Sequence, residues 1–161
     1  MIGLLLANLA LTLLWLLLNE SGGFLSLGFG FLVSAVLTSA VGAAAGRHGY
    51  LAALWAKVSF LGYFLKILVL ANLEVMKEIL TPGFSMKPRL IRYEVPGLTP
   101  GQLTVLASAI TLTPGTLSVD CDESGDALYI HAMYADDPAQ AVAELDALKN
   151  RILLDLYRGC S

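Results

Sequence analysis

Three long apolar stretches and then a run of short alternating ones make up the pattern of this chain. From Met1 to Asn19 no side chain ionises, and at about 1.5 Å per residue a helix over that stretch just crosses a hydrocarbon core of about 30 Å. A short polar turn, Asn19-Glu20-Ser21-Gly22-Gly23, separates it from a second charge-free run, Phe24 to Gly46. Both runs are read as membrane-spanning helices forming a hairpin. No basic segment precedes the first and no small-residue cleavage site follows it, so it is read as an uncleaved span.

The non-aliphatic residues within the two runs are ordered. Asn8, Thr12, Trp15 and Asn19 recur at spacings of four and three, which places them on one helical face. They form either a polar seam against a neighbouring helix, or an internal hydrogen bond at Asn8 with Trp15 and Asn19 at the membrane interface. In the second run Ser34, Thr38, Gly42 and Gly46 recur every four residues, so one face is nearly all small. Such a face suits close helix packing, against the first span or against a partner subunit.

Arg47-His48-Gly49 closes the hairpin, and Leu51 to Leu80 reads as one helix ending before Thr81-Pro82-Gly83. Ser59, Gly62, Tyr63, Lys66 and Lys77 share a face of it with Glu74 at the edge, so it is amphipathic. It lies in the membrane interface or spans with Lys66 turned into a protein contact. With two spans, Met1, Arg47 and the basic block after them are cytoplasmic and Glu20 is outside; with three, Arg47 falls outside. The reading adopted is two spans and a tilted or interfacial third helix. Lys66 is the one ionisable group that could lie deep in the membrane, on a proton path or as a snorkelling or paired residue.

After Lys87-Pro88 the pattern becomes that of a small soluble domain. Leu90 to Val95 reads as a strand, and Thr99 with Pro100 opens a helix through Leu103, Leu106 and Ile110. Thr113 precedes a proline and is driven out of the α region, which ends that helix by about Leu112. Pro114-Gly115 then suits a type II turn, with Thr116 opening a strand that carries Leu117, Val119 and Cys121 on one side and turns Ser118 away from the core. A hairpin loop at Glu123 to Asp126, a strand from Ala127 to Tyr134 and a helix opened by Asp137-Pro138 complete the chain. The last helix shows an apolar stripe of Val142, Leu145, Leu148, Ile152 and Leu156. The fold class is thus a membrane protein: a transmembrane hairpin and amphipathic third helix over residues 1–86, then a cytoplasmic α+β domain over 87–161. Its β-α-β-β-α order is most of a ferredoxin-like plait.

Composition agrees with the pattern: of 161 residues 57% are hydrophobic and 14% charged, with a mean hydropathy of +0.71. Seven of the ten basic residues lie between Arg47 and Arg92, and ten of the thirteen acids from Glu94 onward. A basic block between an apolar and an acidic half suits a cytoplasmic membrane boundary and gives no nucleic-acid signal. Cys121 and Cys160 lack metal-site or redox-pair spacing and read as reduced thiols. Gly28 and Gly30 lack the strand of a dinucleotide loop, and Asp120, Asp122, Glu123 and Asp126 lack calcium-loop spacing. His131 shares a strand face with Tyr129 and Met133, open to a partner, to pH sensing or simply to solvent. Thr111, Thr113 and Thr116 bind a ligand, dock a subunit, or satisfy backbone groups freed at the helix end. The residues point to no catalytic, cofactor or metal site.

The run ASAITLTPGTLSVD, followed by LYIHAM and preceded by PRLIRYEVP behind an apolar half, resembles the E subunit of the multisubunit Na+/H+ antiporters of the Mrp type. The resemblance covers essentially the whole chain. It implies a small multi-pass subunit of the cytoplasmic membrane, with its C-terminal domain cytoplasmic and larger antiporter subunits and lipid as partners. It brings no catalytic residues, and YFLKILVLANLEV around Lys66 has leucines where an acidic neighbour is expected. Asn8, Thr12, Ser34, Thr38, Gly42 and Lys66 are then candidates for subunit packing, and Thr113, Pro114, Gly115 and Thr116 form the structural turn. The function implied is a structural or assembly role in sodium/proton exchange. The alternative is a membrane-anchored cytoplasmic domain that binds a ligand or a regulatory protein.

Overall fold

The computed structural model describes residues 2–19, 23–46, 49–83 and 86–157. The Glu20 to Gly22 turn, the Arg47-His48 loop and Cys160 lie outside the described residues. Three long helices come first: α1 (Ile2–Leu18), α2 (Phe24–Ala44) and α3 (Tyr50–Leu80). They are followed by β1 (Arg89–Glu94), α4 (Pro100–Leu112), β2 (Thr116–Cys121), β3 (Ala127–Ala132) and α5 (Pro138–Arg151), which continues as a π-helical turn, Ile152–Leu156. The described residues form two compact units, one running up to Val58 and the other Ser59–Tyr157.

In the first unit α1 packs along α2. Its packing is inverted with respect to a water-soluble hairpin. Asn8, Thr12, Ser34 and Thr38 are buried, whereas Leu6, Leu13, Leu17 and Leu18 are exposed on α1, and Leu32, Val36 and Val41 on α2. Water would favour the opposite arrangement. Lipid removes the hydrophobic incentive between helices and leaves close contact and hydrogen bonding to hold them, so this is a hairpin built for a bilayer.

In the second unit the sheet runs β1-β3-β2, with β3 antiparallel to both neighbours. Thr99 caps α4 through a reciprocal pair: its hydroxyl accepts from the Gln102 amide and the Gln102 side chain accepts from the Thr99 amide. Asp137 caps α5 by accepting from the Ala139 amide at 2.9 Å. One face of the sheet (Tyr93, Leu128, Ile130) packs with Leu106 and Ile110 of α4 and with Leu145, Leu148 and Ile152 of the last helix.

Two expectations need correction. The face of α3 formed by Phe60, Tyr63, Phe64 and Ile67 packs against this core, so the side of α3 expected to be polar divides: Ser59 and Tyr63 turn to the domain, whereas Gly62, Lys66 and Lys77 are exposed. Aromatic side chains suit a protein core as well as lipid, which hid the packed face. Likewise Leu117 and Val119 of β2 lie on the uncovered sheet face, and it is Ser118 that turns inward. Its hydroxyl donates to the Ala107 carbonyl at 3.3 Å and its amide to Thr111 Oγ1 at 3.2 Å. The pairing register slips between Ser118 and Asp120, leaving Val119 as the extra residue of a bulge.

Candidate functional site

The interior of the hairpin is a polar seam. Asn8 is fully buried and its Nδ2 donates to the Tyr50 hydroxyl at 2.8 Å, tying the start of α3 to α1. Thr12 returns its hydroxyl to the Asn8 carbonyl at 2.8 Å. On α2, Gly30, Ser34, Ala35, Thr38 and Gly42 form the buried face, while Gly46 lies past the helix end at φ 72°. A Cβ on Gly30 would sit 2.4 Å from Cδ1 of Trp15, so only glycine admits the indole there. The Trp15 ring meets Phe29 at 5.5 Å between centroids. Of the residues singled out for subunit packing, the structure thus places Asn8, Thr12, Ser34, Thr38 and Gly42 in the interior of this chain's own hairpin unit. Lys66 stands apart, exposed, and among the described residues it has no ion-pair or hydrogen-bond partner.

The threonine turn is a dense knot of backbone capping. The Thr116 amide donates to the Thr113 carbonyl at 3.2 Å with Gly115 at φ +90° between them, the pattern of a type II turn. Thr113 Oγ1 donates to the Ala109 carbonyl at 3.0 Å and Thr116 Oγ1 to the Ile110 carbonyl at 2.7 Å. These side chains therefore occupy carbonyls at the end of α4, where helical partners run out. The Gly115 carbonyl in turn accepts from the Met133 amide at 2.8 Å, which fastens the turn to the end of β3. The turn also walls a cavity of about 370 Å³ bounded by α3, β3 and α5, with Glu74 and Glu144 among its lining residues.

Two charged groupings brace the second unit. Arg151 lies over the Tyr63 ring at 5.1 Å, reaches Ser59 Oγ at 3.4 Å and pairs with the buried Asp155 at 3.1 Å. The buried Tyr93 hydroxyl donates to Asp146 Oδ1 at 2.7 Å, and Lys149 Nζ donates to the same oxygen at 2.8 Å. Lys149 first, then Tyr93, hold the Asp146 carboxyl below its usual range; burial, then Asp146, push the Tyr93 phenol well above its own. Sequence reasoning missed Tyr50, Arg151 and Asp155. The first lies 42 residues from its partner, and the apolar stripe of the last helix draws attention to Leu156 and away from Asp155. No group of three or more His, Cys, Asp or Glu side chains that could hold a metal occurs among the described residues.

Leucines outward, polar groups inward and a small α+β domain behind a basic block define a membrane protein of a helical anchor and a compact domain. The chain belongs to the Na+/H+ ion antiporter subunit family, whose profile matches residues 8–154. It is 27% identical over 153 residues to the Na(+)/H(+) antiporter E subunit of Alkalihalophilus pseudofirmus, covering 95% of this chain and 97% of that one. With the E subunit of the Bacillus subtilis Na(+)/H(+) antiporter it shares 30% over 140 residues, covering 87% and 89%. Among solved structures it is similar to a chain of the Mrp complex from a Dietzia species, at 30% identity and a TM-score of 0.48, covering 60% of this chain and 91% of that one. A chain of an archaeal membrane-bound sulfane sulfur reductase matches at 26% identity and a TM-score of 0.49, covering 83% and 84%.

Proposed function

We propose that this chain is a non-catalytic assembly subunit of a multisubunit sodium/proton antiporter in the cytoplasmic membrane, with its C-terminal domain on the cytoplasmic side. The observation that carries the reading is the hairpin interior. A path for protons or sodium needs polar or ionisable groups in succession, since a charge at the bilayer centre costs at least about 2.5 to 3.5 kcal/mol unless paired or hydrated. The first two helices hold no ionisable side chain; of the buried polar residues on α1, Asn8 donates through Nδ2 to Tyr50 while its Oδ1 has no partner among the described residues, and Thr12 bonds to backbone. Lys66 alone cannot relay a proton across the membrane.

Length and composition allow α2 and α3 to cross a membrane, while α1 has 17 residues. The packing of α3 favours α1 and α2 as the spans, because Phe60, Tyr63, Phe64 and Ile67 face a protein core and that face cannot also meet lipid. What remains of α3, Tyr50 to Val58, reaches about 14 Å at about 1.5 Å per residue. A helix lying in the interface fits both facts. The β1-β3-β2 order with its two following helices supports reading the domain as a ferredoxin-like plait without its last strand. The test is sodium-dependent proton flux in liposomes, with the purified chain alone and with complexes carrying or lacking it. The chain alone should give none and its loss should impair exchange. Flux by the chain alone that Lys66→Ala abolishes would make Lys66 a transport residue and overturn the reading.

A further inference from the structure

We propose that the cleft between the second half of α3, the Pro114-Gly115 turn and α5 docks a basic segment of another subunit of the same complex, an apolar side chain entering the cavity and a Lys or Arg meeting its rim. This rests on the assembly reading and says which face performs it. The cavity, about 370 Å³, is at the small end of the size of ligand pockets, about 300 to 1,000 Å³. That volume suits an anchor side chain and its neighbour, the way a few buried residues dominate protein interfaces. Its walls are mostly apolar, with Ile67, Leu70, Ile91 and Leu145 among them.

The rim is mostly acidic. Glu74 and Glu144 line both the cavity and an adjoining recess of about 260 Å³, to which Asp136 and Asp137 add two more carboxylates. The basic residue there is Lys87, and Asp136 holds its Nζ at 2.6 Å. The Tyr134 phenol, which lines both spaces, is pushed upward by burial and then by the charges of Glu78 and Glu74, so a group inside the cleft already experiences the negative field. An anionic headgroup or phosphate would be repelled. A bare metal ion would find apolar walls and, among the described residues, no cluster of three ligands. A cation carried on an apolar stem matches both halves of the cleft, because the stem of Lys or Arg lies along apolar surface while its head reaches an acid.

The experiment uses the whole complex, co-expressed in cells that lack their own. A photo-crosslinking residue replaces the exposed Gln140 in the recess, or Val119 on the uncovered sheet face as a control, and adducts are mapped by mass spectrometry. The Gln140 probe should join a Lys- or Arg-containing segment of another subunit of the complex. The pair Glu74→Lys and Glu144→Lys should lower that adduct about tenfold or more, because like charges then meet across the interface. Glu123→Lys on the distant hairpin should leave it unchanged. The milder pair Glu74→Gln and Glu144→Gln, with membrane levels of the chain measured in parallel, separates lost docking from lost folding. An intact complex in which the Gln140 probe reaches only lipid or this chain itself overturns the cleft proposal and leaves the assembly reading standing, as does an adduct from Val119 alone. Failure of the wild-type chain to co-purify with any other subunit overturns the assembly reading.

Discussion

Replacing Gly115 by alanine should destabilise the C-terminal domain more than removing the Ser118 hydroxyl, although both residues belong to the same segment. The alanine is held at φ +90°, a region that costs a non-glycine residue about 1 to 3 kcal/mol. Its Cβ would also sit 3.2 Å from Cδ2 and Cε2 of Tyr134, a ring edge that must give way. A gain of about 0.4 to 1 kcal/mol from the stiffer unfolded chain offsets part of this. The strain less this gain leaves up to about 2.6 kcal/mol, to which the ring contact adds. Ser118→Ala removes one long hydrogen bond to a helical carbonyl, 3.3 Å, a contribution of about 0.5 to 1.5 kcal/mol. Hydrogen exchange of the β3 amides in the full chain, purified in detergent, reads the difference. A loss of about 1 to 2 kcal/mol speeds exchange by about 5- to 30-fold where opening is global. Gly115→Asn separates the causes, because asparagine tolerates positive φ better than alanine although it is larger. If backbone strain dominates, Asn costs less than Ala; if the Tyr134 contact dominates, Asn costs at least as much and Tyr134→Ala relieves both. Wild-type exchange in Gly115→Ala would refute the reasoning, and so would equal losses in Gly115→Ala and Ser118→Ala.

Gly30→Ala should disrupt the hairpin, whereas Gly28→Ala, with nothing within 4 Å of its Cβ, should be neutral or slightly stabilising; thermal aggregation in detergent ranks them. Asn8→Ala and Tyr50→Phe should show a double-mutant coupling of about 0.6 kcal/mol and at most about 1.7, the average and the maximum for interhelical hydrogen bonds in membranes, and additive effects would mean that their 2.8 Å contact contributes nothing. Because the Asp146 carboxyl is depressed in the folded state, its contribution is present above its unfolded value of about 3.8 and lost as pH falls through the lower folded one; Asp146→Asn should flatten that acid limb in denaturant titrations. In a Cys160→Ser background the exposed Cys121 should react with a membrane-impermeant thiol reagent in inverted vesicles and not in intact cells, the reverse pattern placing the domain outside.

What could be read from the chain in advance was whatever is local. Thr99-Pro100 announces a helix start because the capping partners lie three residues apart, and Pro114-Gly115 announces its turn because each residue limits its own backbone. The small face of α2 shows as a spacing of four. Sidedness was less accessible. Alternation puts Leu117 and Val119 on the same side of β2 but does not say which side is covered, and apolar character suggested the wrong one. The choice is made by Ala107 and Thr111, which offer Ser118 hydrogen-bond partners from α4, and by the bulge at Val119.

The third helix shows why a bilayer protein is harder to read than a soluble one. In water, an apolar stripe identifies the buried face because the remaining positions must be polar. Along α3, Leu61, Leu65 and Val69 are exposed while Phe60, Phe64 and Ile67 pack on the domain, so both faces are apolar and hydropathy cannot separate them. Polar contacts mark the packed side instead. Ser59 and Tyr63 meet Arg151, whose guanidinium also pairs with Asp155, so this side of α3 is tied to the last helix. The same logic governs the hairpin, where Asn8, Thr12 and Thr38 mark the interior and the leucines mark the lipid side. In α1 and α2 the buried polar minority locates the helix contacts, and on α3 Ser59 and Tyr63 do the same. Lys66 departs from that pattern: it is exposed and has no partner among the described residues.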